Sequence, residues 1–228
     1  MDLKVIAHIH NNFKEKFGIP RQSGISDADR SVIIFKKEYR DENALRGIDG
    51  FSHLWLIWHF SQNSKTNWSP TVRPPRLGGN TRMGVFATRS PYRPNPIGLS
   101  SERLVGMHKT REHGTVLVVC GADLADGTPI FDIKPYLSFT DSHPDAVCGF
   151  AEDVMKNNIE VVFADAVAKI FDTSQLEEIE SILSQNPKPS YHNNPDRIYG
   201  MKYGGYEIKF KTQNNSLTVL SAERVDYL

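Results

Sequence analysis

Leu3, Val5, Ala7 and Ile9 alternate with mostly polar neighbours, the period of two that a half-buried strand imposes on its side chains. Similar strand-like runs recur at Ser31 to Phe35, Leu54 to Phe60, Gly84 to Thr88, Thr115 to Cys120 and Pro129 to Ile133. No long amphipathic helical pattern separates them before Pro135. Many short strands with Gly and Pro punctuation and no helical crossovers predict an antiparallel barrel or sandwich, not a parallel α/β sheet. The texture changes after Gly149. Ile159 to Phe163 reads as a strand, Ser174 and Glu177 stand at the spacing of a capping box, and Leu176, Ile179, Ile182 and Leu183 then share one helical face. That helix ends before Pro187, and Tyr206 to Phe210 and Leu217 to Leu220 read as closing strands. The pattern predicts a mainly β chain in two parts: a β-barrel domain over 1–150 and a small α+β domain over 151–228.

The length of 228 residues is enough for one large and one small domain. Hydrophobic residues at 39% and charged residues at 24% describe a soluble globular protein, with no apolar run long enough to span a membrane. The first residues lack the apolar core of a signal peptide, so a cytoplasmic location is expected. Cys120 and Cys148 lie among apolar or small residues, which predicts reduced, buried thiols and not a disulfide framework.

Formal net charge is zero, so any contact with nucleic acid must be local. One stretch is set apart. From Gly50 to Ser101 there is no Asp or Glu, yet the stretch holds Lys65, Arg73, Arg76, Arg82, Arg89 and Arg93. Its Pro and Gly content places five arginines on stiff, turned loops. A guanidinium grips phosphate or carboxylate through two parallel hydrogen bonds, so planar anions or phosphates are the natural guests. The competing reading makes these arginines structural ties to the chain's 27 acids.

Other candidate chemistry is sparser. No GxGxxG follows a strand, which leaves no Rossmann dinucleotide site. His8 and His10 would share one face of a strand, but no third ligand is near in sequence, so no metal is expected. Ser142, His143 and Asp145 are too close along the chain for a catalytic triad and predict a turn. His59, ending an apolar strand beside Phe60, is either a satisfied core histidine or the rim of a pocket. Asp123, Asp126 and Asp132 surround an Asp-Gly turn and are suited to the cationic or hydroxylated part of a ligand.

The strings Phe51-Ser-His-Leu-Trp55, Val72-Arg-Pro-Pro-Arg-Leu-Gly-Gly-Asn80, Gly84-Val-Phe-Ala-Thr-Arg-Ser-Pro91, Arg93-Pro-Asn-Pro-Ile-Gly-Leu-Ser100 and Asp132-Ile-Lys-Pro-Tyr136 resemble the TrmO (TsaA-like, YaeB-like) tRNA methyltransferases. Tyr191, Arg197-Ile-Tyr-Gly200 and Tyr206 extend the likeness to the C-terminal part. The resemblance implies a non-Rossmann β-barrel that binds S-adenosylmethionine (SAM), acts as a homodimer, and N6-methylates N6-threonylcarbamoyladenosine beside the tRNA anticodon. It also implies a SAM site made of Pro20, Arg21, Gln22, His59, Phe60, Arg89, Leu99, Asp123, Leu124, Ala125 and Asp126. Arg73, Arg76, Arg82, Arg93 and Lys134 are then expected to hold the anticodon stem-loop and the threonyl carboxylate. Asp126, Asp132 and Tyr136 are the candidates for assisting loss of the N6 proton. A non-catalytic RNA-binding module, or a SAM-binding hydrolase or sensor, would share the basic loop.

Overall fold

The computed structural model describes residues 2–25, 29–63, 68–74, 77, 80–154, 159–188, 192 and 194–225. Lys65, Arg76 and Tyr191 lie outside the described residues. The first part is built from β1 (Ala7–His10), β2 (Arg30–Phe35), β3 (His53–His59), the short pair β4 (Thr71–Val72) and β5 (Met83–Gly84), then β6 (Ile97–Thr110), β7 (Gly114–Cys120) and β8 (Pro129–Pro135). Six of these strands close in the order β1-β2-β7-β6-β3-β8, with β8 returning to β1 and every pair antiparallel. A closed sheet has no exposed edge to protect. Alternation sends Ala7, Ile9, Ile33, Leu54, Leu56, Trp58, Leu117, Val119 and Ile130 into one buried cluster.

Several expectations need correction. Gly84 to Thr88 is not a strand: Val85–Ala87 forms a 3-10 turn, and only Met83–Gly84 pairs, with Thr71–Val72. The longest strand, β6, was not foreseen, because Pro94, Pro96, Gly98 and Gly106 interrupt its apolar pattern. A register shift between Leu104 and Gly106 lets it bend around the barrel. Cys120 is buried as expected, but Cys148 is exposed, in a segment that follows the short helix α1 (Ser138–Asp141).

The second part contains β9 (Glu160–Phe163), α2 (Asp165–Ala168), α3 (Thr173–Leu183), β10 (Ile198–Tyr203), β11 (Tyr206–Gln213) and β12 (Ser216–Arg224). Its sheet runs β10-β11-β12-β9, with β9 parallel to β12. The cap of α3 lies two residues earlier than predicted: Asp172 accepts from Gln175 N at 2.9 Å, and Gln175 Oε1 accepts from Asp172 N at 3.1 Å. Ile179, Ile182 and Leu183 pack on Met201, Ile208, Phe210, Leu217 and Val219. No helix among the described residues is long and apolar enough to cross a membrane.

The loop after β1 joins the two cores. Its start is stapled to the turn before β8, where Asp126 N donates to Phe13 O at 2.8 Å and Asn11 Nδ2 to Leu124 O at 2.9 Å. Its apolar residues turn the other way. Phe13 lies 5.4 Å from the Tyr203 ring, and Phe17 stacks near Tyr199 and Phe210 in the second core. The same loop leads directly into Pro20, Arg21 and Gln22.

Beside Phe13 a polar knot spans the junction. Tyr203 Oη lies 2.9 Å from Asp29 Oδ1 and 3.2 Å from Glu178 Oε2, and Asn12 Nδ2 donates to Asp29 at 3.1 Å. One phenol proton cannot serve two carboxylates, so a proton on one of them completes the knot. Burial pushes the Asp29 carboxyl up to about 6, opposed by hydrogen bonds from Tyr203 and Asn12 and reinforced by the charge of Glu178. Ser31 sits beside Asp29, but its hydroxyl closes no hydrogen bond within 3.5 Å. Burial likewise raises Glu178, whose surroundings include Asp172 and Arg30. Because the folded state holds the Asp29 proton more tightly, its stabilising effect is full below pH 4 and is lost as pH rises through about 6. Relative to Asp29→Asn, the wild-type protein should lose about 3 kcal/mol of unfolding free energy across that window, measured by denaturant titration at several pH values. Parallel pH curves for the two proteins would show that Asp29 does not titrate in this way.

Candidate active site

Three segments converge at one end of the barrel: the loop through Gln22, the facing portions of β3 and β6, and the turn after β7. Asp123, just beyond β7, receives a hydrogen bond from Ser100 Oγ at 2.5 Å, and Ser100 in turn accepts from Trp58 Nε1 at 2.9 Å. Ser100 and Trp58 both point inward from antiparallel neighbours, which is why strands 42 residues apart in sequence can make this chain of contacts. Phe60 packs edge-on against Trp58, with ring centroids 4.3 Å apart. Gln22 accepts from Arg89 Nη1 and donates to Arg21 O, so the basic loop is joined to the loop after β1. Ser101 N to Ser23 Oγ at 3.2 Å and Gly24 N to Gly121 O at 3.0 Å hold that loop against β6 and β7.

The electrostatics fit the geometry. Burial raises the Asp123 carboxyl above its ordinary value, while the Ser100 hydrogen bond and the Arg89 charge pull it back. A half-buried carboxylate, an exposed guanidinium and an aromatic wall at one end of a barrel make a receptor for a zwitterion with a flat, apolar part.

Of the residues expected in the site, Gln22, Arg89, Asp123 and Phe60 come together, with Arg21 linked through Gln22 and Pro20 buried just before it. Others are placed elsewhere. The Leu124 side chain is 1% exposed and belongs to the barrel core, and Ala125 is also buried. Asp126 is committed to the loop after β1: it accepts from Lys14 Nζ at 2.7 Å and Asn11 N at 3.0 Å, with His10 Nδ1 at 3.3 Å. Burial alone would raise its carboxyl, but Lys14 and the Asn11 amide hold it below the ordinary value. His59 and Leu99 face outward, on the side of β3 and β6 opposite Trp58 and Ser100; Leu99 is 56% exposed and His59 lies against Phe131.

The proton-acceptor candidates are dispersed as well. Asp132 pairs with Lys134 at 3.0 Å on the outer wall, opposite Ile57. Tyr136 leans on Trp55 and His53, while Trp55 Nε1 donates to Asp141 at 2.8 Å. Among the arginines, Arg73 is exposed and Arg82 is exposed with one bond to Thr71 Oγ1 at 3.0 Å. Arg93 instead turns back into its own loop, donating to Thr88 O at 2.7 Å, so it is tied to backbone carbonyls and not to an acid as the competing reading had it.

Sequence reasoning passed over Ser100 and Trp58 as site residues. Ser100 closes the Ile-Gly-Leu-Ser string, and once β6 is recognised as a strand, alternation places it inward with Gly98. That strand assignment was the missing signal.

The tRNA-methyltransferase O N-terminal domain model matches residues 8–142, and the TrmO C-terminal domain model matches residues 156–225. A tRNA (adenine(37)-N6)-methyltransferase of Escherichia coli is 38% identical, with 96% of each chain covered. A putative S-adenosylmethionine-dependent methyltransferase, RcsF, of Pseudomonas aeruginosa is 40% identical, with 89% of each covered. A crystal structure of TrmO from Pseudomonas aeruginosa superposes with a TM-score of 0.77 at 31% identity over 98% of both chains. With both domain models matched in order and likeness running along nearly its whole length, the chain belongs to the TrmO family of tRNA methyltransferases.

Proposed function

We propose that this protein is a SAM-dependent, cytoplasmic tRNA methyltransferase that places a methyl group on N6 of N6-threonylcarbamoyladenosine at position 37, beside the anticodon. The observation that carries the proposal is the half-buried Asp123 facing the Arg89–Gln22 pair at the end of the barrel, in a chain matched by both TrmO domain models. These residues fit SAM. Asp123 is suited to its cationic amino-acid end, Arg89 to its carboxylate, and Phe60 with Trp58 to its apolar and planar parts. When bound, SAM supplies a methyl group already activated by the positive sulfur.

The protein's task is then chiefly to orient the two reactants, which removes much of the entropic barrier to displacement. Burial at the barrel end excludes water and strengthens the Asp123 contacts. The N6 lone pair is delocalised, so a proton acceptor is needed during or after attack. Asp126 is ill suited, since its oxygens are already held by Lys14, Asn11 and His10. Asp132 and Tyr136, on the outer wall, remain the candidates.

The outer wall also supports a homodimer. Ile97 and Leu99 are exposed there on one face of β6, apolar side chains suited to burial against another protein surface. His59 and Leu99 face away from Trp58 and Ser100, so they would share a site only with groups that a second copy packed on this wall brings to them. A monomeric mass in light scattering would remove this part of the proposal. Arg73 and Arg82, both exposed, are suited to meet the anticodon stem-loop, with Lys134 on the outer wall.

The activity is tested by incubating the protein with methyl-labelled SAM and tRNA bearing or lacking the threonylcarbamoyl group. Label should enter only the modified tRNA, because an arginine aligned with the threonyl carboxylate is left unpaired by plain adenosine. Equal labelling of both tRNAs would overturn the substrate assignment. Binding of tRNA without any transfer would favour a non-catalytic RNA-binding module.

A further inference from the structure

Arg93 is four residues beyond Arg89 in the basic loop, yet its side chain is half-buried and spent on backbone. Its Nη1 lies 2.7 Å from Thr88 O, 3.4 Å from Val85 O and 3.5 Å from Ser90 O. Those carbonyls flank Arg89 on both sides. The guanidinium also sits 6.0 Å over the Phe86 ring. The turn is reinforced locally, since Thr88 Oγ1 donates to Val85 O at 2.9 Å and accepts from Ser90 N at 3.3 Å. A carbonyl cluster of this kind draws in a cationic donor, and Arg93 Nη1, with two N–H groups, is shared among the three oxygens with its shortest contact to Thr88 O.

We propose that Arg93 is a positioning residue: by gathering the carbonyls of Val85, Thr88 and Ser90 it sets the turn that aims Arg89 at Gln22 and Asp123. It acts on SAM binding through Arg89 and makes no phosphate contact itself. This rests on the SAM site described above.

The test is a double-mutant cycle on the full chain with Arg93→Ala, Arg89→Ala and the double variant, plus Arg93→Lys and Arg73→Ala. Calorimetry gives the SAM Kd, steady-state assays give KM and kcat, and tRNA affinity is followed against salt. Arg93→Ala should raise the SAM Kd and KM about tenfold and leave kcat at saturating SAM little changed. Adding it to Arg89→Ala should cost nothing further, because the group it positions is already gone. Arg93→Lys, which keeps a cationic donor near Thr88 O, should recover part of the affinity and also serves if the alanine variant folds poorly. The slope of log tRNA affinity against log salt should stay at the wild-type value in Arg93→Ala and flatten by about one unit in Arg73→Ala. A full tenfold loss on top of Arg89→Ala, or a flattened slope with SAM affinity intact, overturns the positioning role. If Arg89→Ala weakens SAM binding while Arg93→Ala and Arg93→Lys do not, the inference alone fails. If Arg89→Ala itself leaves SAM affinity unchanged, the SAM-site assignment fails and takes this inference with it.

Discussion

Asparagine at position 123 should lower SAM affinity about a hundredfold while leaving the protein folded, through loss of a half-buried charge contact worth about 3 kcal/mol. Asp123→Asn keeps the size of the side chain and an acceptor for Ser100 Oγ, but it removes the negative charge that a cationic ligand needs. Stability should move the other way. Burial raises the Asp123 carboxyl, which means the folded protein pays to keep it ionised at neutral pH. The neutral amide relieves that penalty, so the melting temperature without ligand should hold or rise. A costly ionised group retained in a cleft is the behaviour of a functional residue rather than a structural one. Calorimetry with SAM and a thermal melt decide the matter together: unchanged affinity would sink the assignment, and a collapsed melt would show that Asp123 is structural.

Alanine at Gly98 should have the largest effect on stability. An added Cβ would stand 2.2 Å from Trp58 Cε2 and within 2.5 Å of two further indole carbons, far inside van der Waals contact. The indole cannot swing aside easily, because it is 6% exposed, packed on Phe60 and bonded to Ser100. Overpacking of this kind costs about 3 kcal/mol. For a chain of this size that is a fall of roughly 6–12 °C in Tm. Because the displaced ring is the donor to Ser100, and Ser100 the donor to Asp123, SAM affinity should fall in parallel. Gly106→Ala is the control: the same strand, with nothing within 4 Å of the added carbon, and an expected change within about 0.5 kcal/mol. Equal melting temperatures for the two variants would contradict the close packing of Trp58 on Gly98.

Much of the architecture was legible in the pattern of apolar positions. β2, β3, β7, β8, β9, β11 and β12 coincide with runs whose period of two or unbroken apolar character marks a half-buried strand, and α3 with a helical face. Such signals are local, since each strand's alternation is set by its own pleat whatever partner it later finds. β6 escaped because prolines at its start and glycines within it weaken that local signal, although neighbours on both sides supply its hydrogen bonds. Val85–Ala87 misled for the opposite reason: an apolar run with no strand beside it to complete a ladder closes into a 3-10 turn.

The site divides along the same line. The acid-free, arginine-bearing stretch and the long motifs are properties of the chain itself, and they single out the loop that carries Arg89 and the turn that carries Asp123. Which charge meets which was decided only by folding. Asp126 is three residues from Asp123, yet Lys14 and Asn11 arrive from more than 110 positions away and tie it to the loop after β1. Arg93 and Arg89 are equivalent in sequence, but one faces carbonyls and the other faces Gln22 and Asp123. Composition and periodicity determine which residue types are available on which face of an element. The partner of a charged group depends on contacts between segments far apart in the chain, and the desolvation that gives the contact its strength exists only once those segments have packed.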